Sequence, residues 1–153
     1  IMTVCSYALI NADQDSINEP RLQAILDDAC ASDDISNAHL NIMIVDDAES
    51  AALHGQHFDD PTTTDVMTFP DGSDDPITGR NLLGDLAVCR DVAAREAAKR
   101  GVSVDDELTL YIAHGLLHIL GFDDIHPDDR AEMWQAQYEL LKRHGITIEQ
   151  QPD

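Results

Sequence analysis

The sequence predicts an α+β fold in which a small mixed sheet of four strands packs against about five helices. Short stretches rich in β-branched residues alternate with longer segments whose apolar residues recur at helical spacing. The 153 residues, 43% of them hydrophobic, suffice for one sizeable core, and the sequence shows neither an internal repeat nor an interdomain linker. We expect one domain over residues 2–147 and a polar C-terminal tail over residues 148–153.

The first third of the chain alternates strand and helix. A strand over residues 3–10 precedes turn and capping residues at 15–18, and the following helix runs to about Ala31. Residues 39–45 alternate apolar and polar side chains, which is typical of a half-buried strand. An aspartate then caps a short helix over residues 46–54.

The middle of the chain predicts two strands separated by a long loop. Residues 59–64 read as a loop, and residues 65–69 as a short strand that Pro70 ends. The segment 71–80 is rich in Gly, Pro and Asp, which predicts a mobile loop. Residues 83–89 form the next strand.

The last third predicts three helices, over residues 91–100, 104–120 and 127–144. The second of these is apolar over most of its length, and its acidic first turn, residues 105–107, suits the helix dipole. A glycine follows each helix and can end it: Gly101, Gly121 and Gly145.

The most informative stretch lies at the end of the apolar helix. His114 and His118 are four residues apart, so they share one helix face. Gly121 allows a left-handed turn, after which the chain can return a third ligand. Three protein ligands and one open position are typical of a catalytic zinc site. The sequence therefore predicts one bound metal ion per chain, with the candidate ligands His114, His118, Asp124 and His126.

A zinc ion held in this way activates water and polarises a carbonyl or phosphoryl oxygen, so hydrolysis is the expected chemistry. The zinc peptidase pattern H-E-x-x-H places its general base directly after the first histidine. In this chain that position is Gly115, so peptidase chemistry is not supported.

The net charge is −21, from 30 acidic and nine basic residues. Because nucleic-acid binders usually carry a basic face, charge alone argues against RNA or DNA as a partner. One explanation is a surface adapted to high salt, where screening weakens self-repulsion. That hypothesis predicts an activity that rises with salt.

Three well-separated cysteines, Cys5, Cys30 and Cys89, argue against a disulfide framework and fit a reducing cytoplasm. No apolar run approaches the roughly 20 residues of a membrane span. We expect Met2 to be the natural start, and no secretion signal follows it.

Residues 114–124 are similar to the signature H-G-x-L-H-L-x-G-Y-D-H, residues 61–70 to P-T-D-V-L-S-F-P, and residues 83–88 to L-G-D-I-x-I. Glu107 stands where the same pattern has a glutamate ahead of the histidine helix. In order and spacing, these segments resemble the YbeY family of rRNA maturation factors over about residues 40–140.

The resemblance implies a cytoplasmic, metal-dependent endoribonuclease that is specific for single strands. It implies action in 3′-end maturation of 16S rRNA and in late ribosome quality control. It also implies one zinc ion, held by three histidines of the signature, and a metal-binding helix similar to that of zinc peptidases. Its partners would be rRNA and proteins of the small ribosomal subunit, with neither DNA nor a membrane. The alternatives are a non-catalytic ribosome-assembly factor with a structural metal, or a small metallohydrolase of other substrates.

The chain departs from the family pattern in two places. The family's third histidine is Asp124 here; a carboxylate can bind zinc, and Asp124 keeps the spacing from His118, so we favour it over His126. The family's arginine in L-N-x-x-Y-R is Phe58 here, which removes a permanent cation from the expected RNA path.

We expect four further residues to contact substrate. Asp65 and Asp85 occupy family motif positions, protonated His54 can partly replace the missing arginine, and Arg90 can reach the site. A wider basic patch is expected from Arg80, Arg90, Arg95, Lys99 and Arg100. Trp134 and Tyr138, four residues apart on the last helix, are expected to pack together rather than to stack on bases.

Overall fold

The predicted α+β architecture is confirmed by the computed structural model, which describes residues 4–12, 17–60 and 62–148. Within these residues the elements are β1 (Cys5–Ile10), α1 (Glu19–Ser32), β2 (Ala38–Val45), α2 (Asp47–Phe58), β3 (Val66–Pro70), β4 (Asn81–Cys89), α3 (Arg90–Arg100), α4 (Val104–Ile119) and α5 (Pro127–Arg143). The predicted strand start at Thr3, part of the turn at 15–18, Pro61 and nearly all of the tail lie outside the described residues.

The four strands form one mixed sheet in the order β1-β2-β4-β3. β1, β2 and β4 are parallel, with Tyr7 opposite Leu40 and Leu40 opposite Gly84. β3 pairs antiparallel with β4 and forms one edge of the sheet. β3 therefore lies beside the middle of β4, with its other side open.

The two faces of the sheet carry cores of different size. Leu86 and Val88 of β4 belong to the large core, which the sheet shares with α1, α4 and α5. Ala87 and Cys89 point to the other face, as neighbouring residues of a strand do, and pack in a small cluster against α2. α4 is therefore held inside the main body of the molecule.

α4 is buried on most of its sides. Ser103 caps its first turn by accepting a hydrogen bond from Asp106 N (3.0 Å), and ten of its sixteen residues are buried. A helix that is apolar all round is stable only when other elements surround it. Within the described residues no helix is both long and apolar enough to cross a membrane.

Gly115 lets α4 lie directly on the sheet. A Cβ atom added at this position would be 2.8 Å from Leu86 Cδ2 and 3.1 Å from Val66 Cγ2. With a Cβ at this position, either the Leu86 and Val66 side chains or the helix itself would have to move, so glycine permits the close approach. The position between the two candidate ligands is thus a packing position.

Two element boundaries differ from the sequence prediction. α2 continues through Gly55 to Phe58, because a capping box between Asp46 and Glu49 holds its start and left-handed Asp59 ends it. The segment 71–80 is not a plain loop: Gly72 N donates to Leu82 O (2.7 Å) and Leu82 N to Ser73 O (2.8 Å). These bonds continue the pairing with β4 beyond the end of β3 at Pro70.

The end of α5 is fastened to α1. The carboxylate of Asp28 accepts hydrogen bonds from Arg143 Nε (2.9 Å), Arg143 Nη2 (3.0 Å) and His144 Nε2 (2.8 Å). The Arg143 guanidinium holds the pKa of Asp28 below its usual value, so the contact stays charged at neutral pH. α5 is thereby fixed at the end that lies far from the turn after α4.

We predict that Gly84→Ala destabilises the protein strongly. Gly84 has φ +139°, and an added Cβ would collide with the Phe69 carbonyl and lie 2.9 Å from Pro70 Cα. Overpacking and an unfavourable backbone conformation each cost roughly 1–3 kcal/mol, so urea denaturation should show a loss of about 3 kcal/mol or more. Gly79→Ala is the control, since Gly79 also has positive φ (+71°) but meets no atom within 4 Å. An equal loss in both variants would contradict the packing argument.

Candidate metal centre

Three ligand atoms converge where α4 ends. His114 Nε2 and His118 Nε2 are 3.1 Å apart, and the two rings are nearly perpendicular at 85°. Asp124 Oδ2 lies 3.3 Å from His118 Nε2 and 3.9 Å from His114 Nε2. The three residues form a group that could hold one metal ion.

The outer nitrogen of each imidazole faces an oxygen that can only accept a hydrogen bond. His114 Nδ1 donates to Gln137 Oε1 (2.8 Å), and His118 Nδ1 donates to the Phe122 carbonyl (3.2 Å). In a neutral imidazole only one nitrogen carries a proton, so both Nε2 atoms present lone pairs. The hydrogen bonds therefore set the tautomer that a metal ligand requires.

A positive charge between the three ligand atoms would stabilise their arrangement. Two imidazole nitrogens and a carboxylate oxygen lie within 4 Å of one another, and a cation bound between them would offset the repulsion among their lone pairs. Imidazole nitrogen and carboxylate oxygen are both established ligand types for zinc. The donor set thus fits a divalent metal ion.

The turn after α4 brings the third group back to the histidines. Gly121 has φ +107°, and its N–H donates to His118 O (3.1 Å) while Phe122 N donates to Leu117 O (3.0 Å). Asp123 accepts from Ile125 N (3.0 Å) and so holds the turn, as expected for a residue outside the ligand set. Asp124 is left facing the two imidazoles.

His126 occupies a different place. It is the N-cap residue of α5, and its carbonyl accepts from Arg130 N (2.9 Å). Within the described part of the chain, the group that could hold a metal ion comprises His114, His118 and Asp124 and does not include His126. The geometry therefore favours the carboxylate as the third ligand.

Comparison with known proteins identifies the family. Residues 9–145 match the family described as Endoribonuclease YbeY. A relative of that name from Clavibacter michiganensis subsp. michiganensis is 37% identical over 142 residues, which cover 89% of this chain and 93% of the relative. One from Beutenbergia cavernae is 42% identical over 109 residues, covering 68% of this chain and 73% of the relative. The chain belongs to the YbeY family. It is thus a member of a family of endoribonucleases, enzymes that hydrolyse phosphodiester bonds of RNA.

A solved structure agrees with the fold. A Thermotoga maritima protein determined in solution superposes with a TM-score of 0.65 at 23% identity, over 92% of this chain and 88% of that protein. The two chains share the same architecture.

The YbeY-type residue Asp65 lies at a cavity of about 480 Å³ between α3, α4 and the start of β3. Arg95, Arg100 and Tyr111 also line it. Buried Glu107 accepts from Arg100 Nη1 (3.1 Å) at this place. Burial, with the Glu107 carboxylate beside it, raises the pKa of Tyr111, which therefore stays protonated.

Asp85, the second acidic motif residue, faces away from α4. It accepts a hydrogen bond from Asn41 Nδ2 (3.0 Å), and Asn41 Oδ1 in turn contacts His39 Nε2 at 2.8 Å. Its neighbour Leu86 meets Gly115, so Asp85 lies on the opposite face of the sheet. The structure does not bring Asp85 together with the metal-binding group.

At the position of the YbeY family's arginine, this chain has a small aromatic cluster. Phe58 is 50% exposed, and its ring centroid lies 5.5 Å from that of His54 and 6.1 Å from that of Phe69. His54 Nδ1 also donates to Thr62 O (2.9 Å), so this histidine holds the loop before β3.

The expected basic patch is largely neutralised. Arg95 forms a two-point contact with Asp47 (2.7 and 2.9 Å), and Lys99 lies 3.5 Å from Glu96. Arg100 is paired with Glu107, as described above. Arg90 is the first residue of α3 and is half-buried. Three of the basic residues of α3 are therefore paired with carboxylates.

Sequence reasoning missed two groups that orient the imidazoles. Gln137 is 92% buried and lies in the apolar row of α5 with Met133 and Leu140. A glutamine among the apolar residues of a helix indicates a buried hydrogen bond. The sequence does not identify the partner, which lies 23 residues earlier. The Phe122 carbonyl belongs to the backbone, and no residue type marks it.

We predict that Asp124→Ala releases the metal and that His126→Ala retains it. Metal content per chain, measured after dialysis against a fixed zinc concentration, distinguishes the two candidates. The converse result, with metal lost only in His126→Ala, would make His126 the ligand.

Gln137→Leu should weaken metal binding about 10–100-fold, because the His114 ring loses the acceptor that sets its tautomer. Calorimetric titration with zinc measures the affinity. Gln135→Leu on the exposed side of α5 is the matched control and should bind as the unaltered protein does. Equal affinities in both variants would show that Gln137 only packs.

Proposed function

We propose that the chain is a zinc-dependent, single-strand-specific endoribonuclease of the cytoplasm. Its proposed role is 3′-end maturation of 16S rRNA and ribosome quality control. The relatives named Endoribonuclease YbeY support an RNA substrate. The observation that carries the proposal is the convergence of two Nε2 lone pairs and the Asp124 carboxylate at the end of α4.

Different residues of the chain have different roles at this centre. His114, His118 and Asp124 would hold the ion, and the Gln137 amide and Phe122 carbonyl keep both imidazoles in the binding tautomer. When bound, zinc supplies an activated water and stabilises charge on phosphoryl oxygens. Because the two histidines stand on a buried helix, they keep their geometry while substrate enters.

The exposure of the ligands favours catalysis over a structural metal. The side chains of His114, His118 and Asp124 are 32, 26 and 45% exposed. Structural zinc sites are closed by four protein ligands, whereas catalytic sites keep one position open. Three partly exposed ligands match the open type.

A peptidase role is disfavoured by the packing of α4. In zinc peptidases the residue after the first histidine is a glutamate that acts as base. Here Gly115 occupies that place with Leu86 and Val66 against it, so a glutamate would have to enter the apolar core.

The acidic surface supports a role on the ribosome. RNA affinity normally depends on phosphate contacts, and at least three of the nine basic residues of this chain hold carboxylates along α3. We therefore propose that basic proteins of the small subunit bind the acidic surface and present the rRNA end. Neither DNA nor a membrane is a proposed partner.

Zinc-loaded protein should cleave single-stranded RNA, and small-subunit precursors near the 16S 3′ end, while duplex RNA of the same sequence stays intact. Chelation should abolish cleavage and added zinc should restore it, because the ion supplies the activated water. Gel electrophoresis of end-labelled RNA measures both effects.

His118→Ala should reduce cleavage to background, and His126→Ala serves as the matched control. A folded, zinc-loaded protein that cuts no RNA, even with ribosomal subunits present, would replace this proposal with a non-catalytic assembly role.

A further inference from the structure

A stripe of cations and aromatic rings runs along α5. Arg130, Trp134, Tyr138 and Lys142 follow one another at intervals of four residues, and we refer to them as the α5 stripe. Residues four apart on a helix are neighbours on one surface. The stripe therefore places two aromatic rings between two positive charges.

The rings of the α5 stripe are ordered against one another. Trp134 and Tyr138 are stacked, with centroids 5.1 Å apart and an interplanar angle of 17°. Lys142 Nζ lies 5.5 Å from the centroid of Tyr138. Both rings are half-buried and Lys142 is exposed, so part of each ring is open to solvent. This differs from the fully packed row of α5 that Met133 and Leu140 represent.

The α5 stripe lies next to the metal centre. Gln137, which accepts from His114 Nδ1, stands three residues after Trp134 and directly before Tyr138. Arg130 is seven residues before Gln137, which is close to two helical turns, so the two share nearly the same row. The α5 stripe therefore begins beside the candidate metal centre and runs along α5 toward the C-terminal end of that helix.

We propose that the α5 stripe binds the unpaired bases of the RNA strand next to the point of cleavage. The sequence favours packing over base stacking for Trp134 and Tyr138, and the two rings do pack against each other, but the parts of both rings that are open to solvent stack on bases. Arg130 and Lys142 neutralise the flanking phosphates. On binding, the flexible Lys142 side chain moves from the face of the Tyr138 ring to a phosphate, and a base takes its place on the ring. This inference rests on the proposed function, because the strand bound here is the strand to be cleaved.

Two physical arguments favour RNA as the occupant. Base stacking requires no excess positive charge, which suits a chain of net charge −21, and it is tolerant of sequence. It also requires exposed base faces, which a duplex hides, so the stripe gives a physical origin for single-strand preference. Glu139, which follows Tyr138 directly, accepts from Gln135 Nε2 (2.9 Å).

Trp134 is the one tryptophan of the chain, so its fluorescence reports on the α5 stripe alone. Stopped-flow mixing of zinc-loaded protein with a short oligoadenylate records quenching before the strand is cut. We expect saturable quenching by the single strand, little by the same strand paired with oligouridylate, and none by inorganic polyphosphate.

Tyr138→Leu should weaken binding of the oligoadenylate roughly tenfold, whereas Tyr138→Phe keeps the ring and should bind as the unaltered protein does. Lys142→Ala should weaken binding and lower its salt dependence, whereas Lys99→Ala, an exposed lysine on α3, should change neither. Circular dichroism confirms that each variant is folded.

If the oligoadenylate does not quench the fluorescence while RNA is still cleaved, the inference is wrong and the proposed function stands. Equal quenching by duplex or polyphosphate, or equal weakening in Tyr138→Phe and Tyr138→Leu, would also overturn it. Quenching without any RNA cleavage would instead overturn the proposed function and leave the α5 stripe as an RNA-binding surface.

Discussion

The close contact between α4 and the sheet determines where the candidate ligands lie. Gly115 allows the helix backbone to approach Leu86 and Val66, and the surrounding elements bury most of the remaining helix. A helix packed on so many sides can neither rotate nor slide without opening cavities. His114 and His118 flank this contact, so they project from a rigid element while their side chains stay partly exposed, 32 and 26% respectively.

Much of the fold, and two of the three candidate metal ligands, could be predicted because they depend on local sequence. The order of strands and helices follows from hydrophobic periodicity, and the pair His114 and His118 follows from helix geometry. The end of α2 at Phe58 could not be predicted in this way, because a glycine such as Gly55 usually weakens a helix. Here the capping box at the start of α2 stabilises the helix enough for it to continue past Gly55. Local propensity is a weak guide where the cap and tertiary packing decide.

The rest of the site depends on contacts between distant residues. Gln137 reaches His114 across 23 residues, and the side of the sheet on which Asp85 lies depends on strand pairing. The carboxylates that neutralise Arg95 and Arg100 are likewise separated from them in sequence. Periodicity within one segment carries no information on such pairs. Family spacing, rather than local physics, favours Asp124 over His126 in the sequence.

The open edge of the sheet has a consequence for self-association. β3 packs beside α4 through Val66, so the metal centre lies next to an edge strand whose backbone could pair with another chain. This edge is only five residues long and ends in Pro70, which has no N–H to donate. The net charge of −21 adds repulsion between copies. The centre can therefore remain accessible to a long substrate without copies of the chain pairing through this edge.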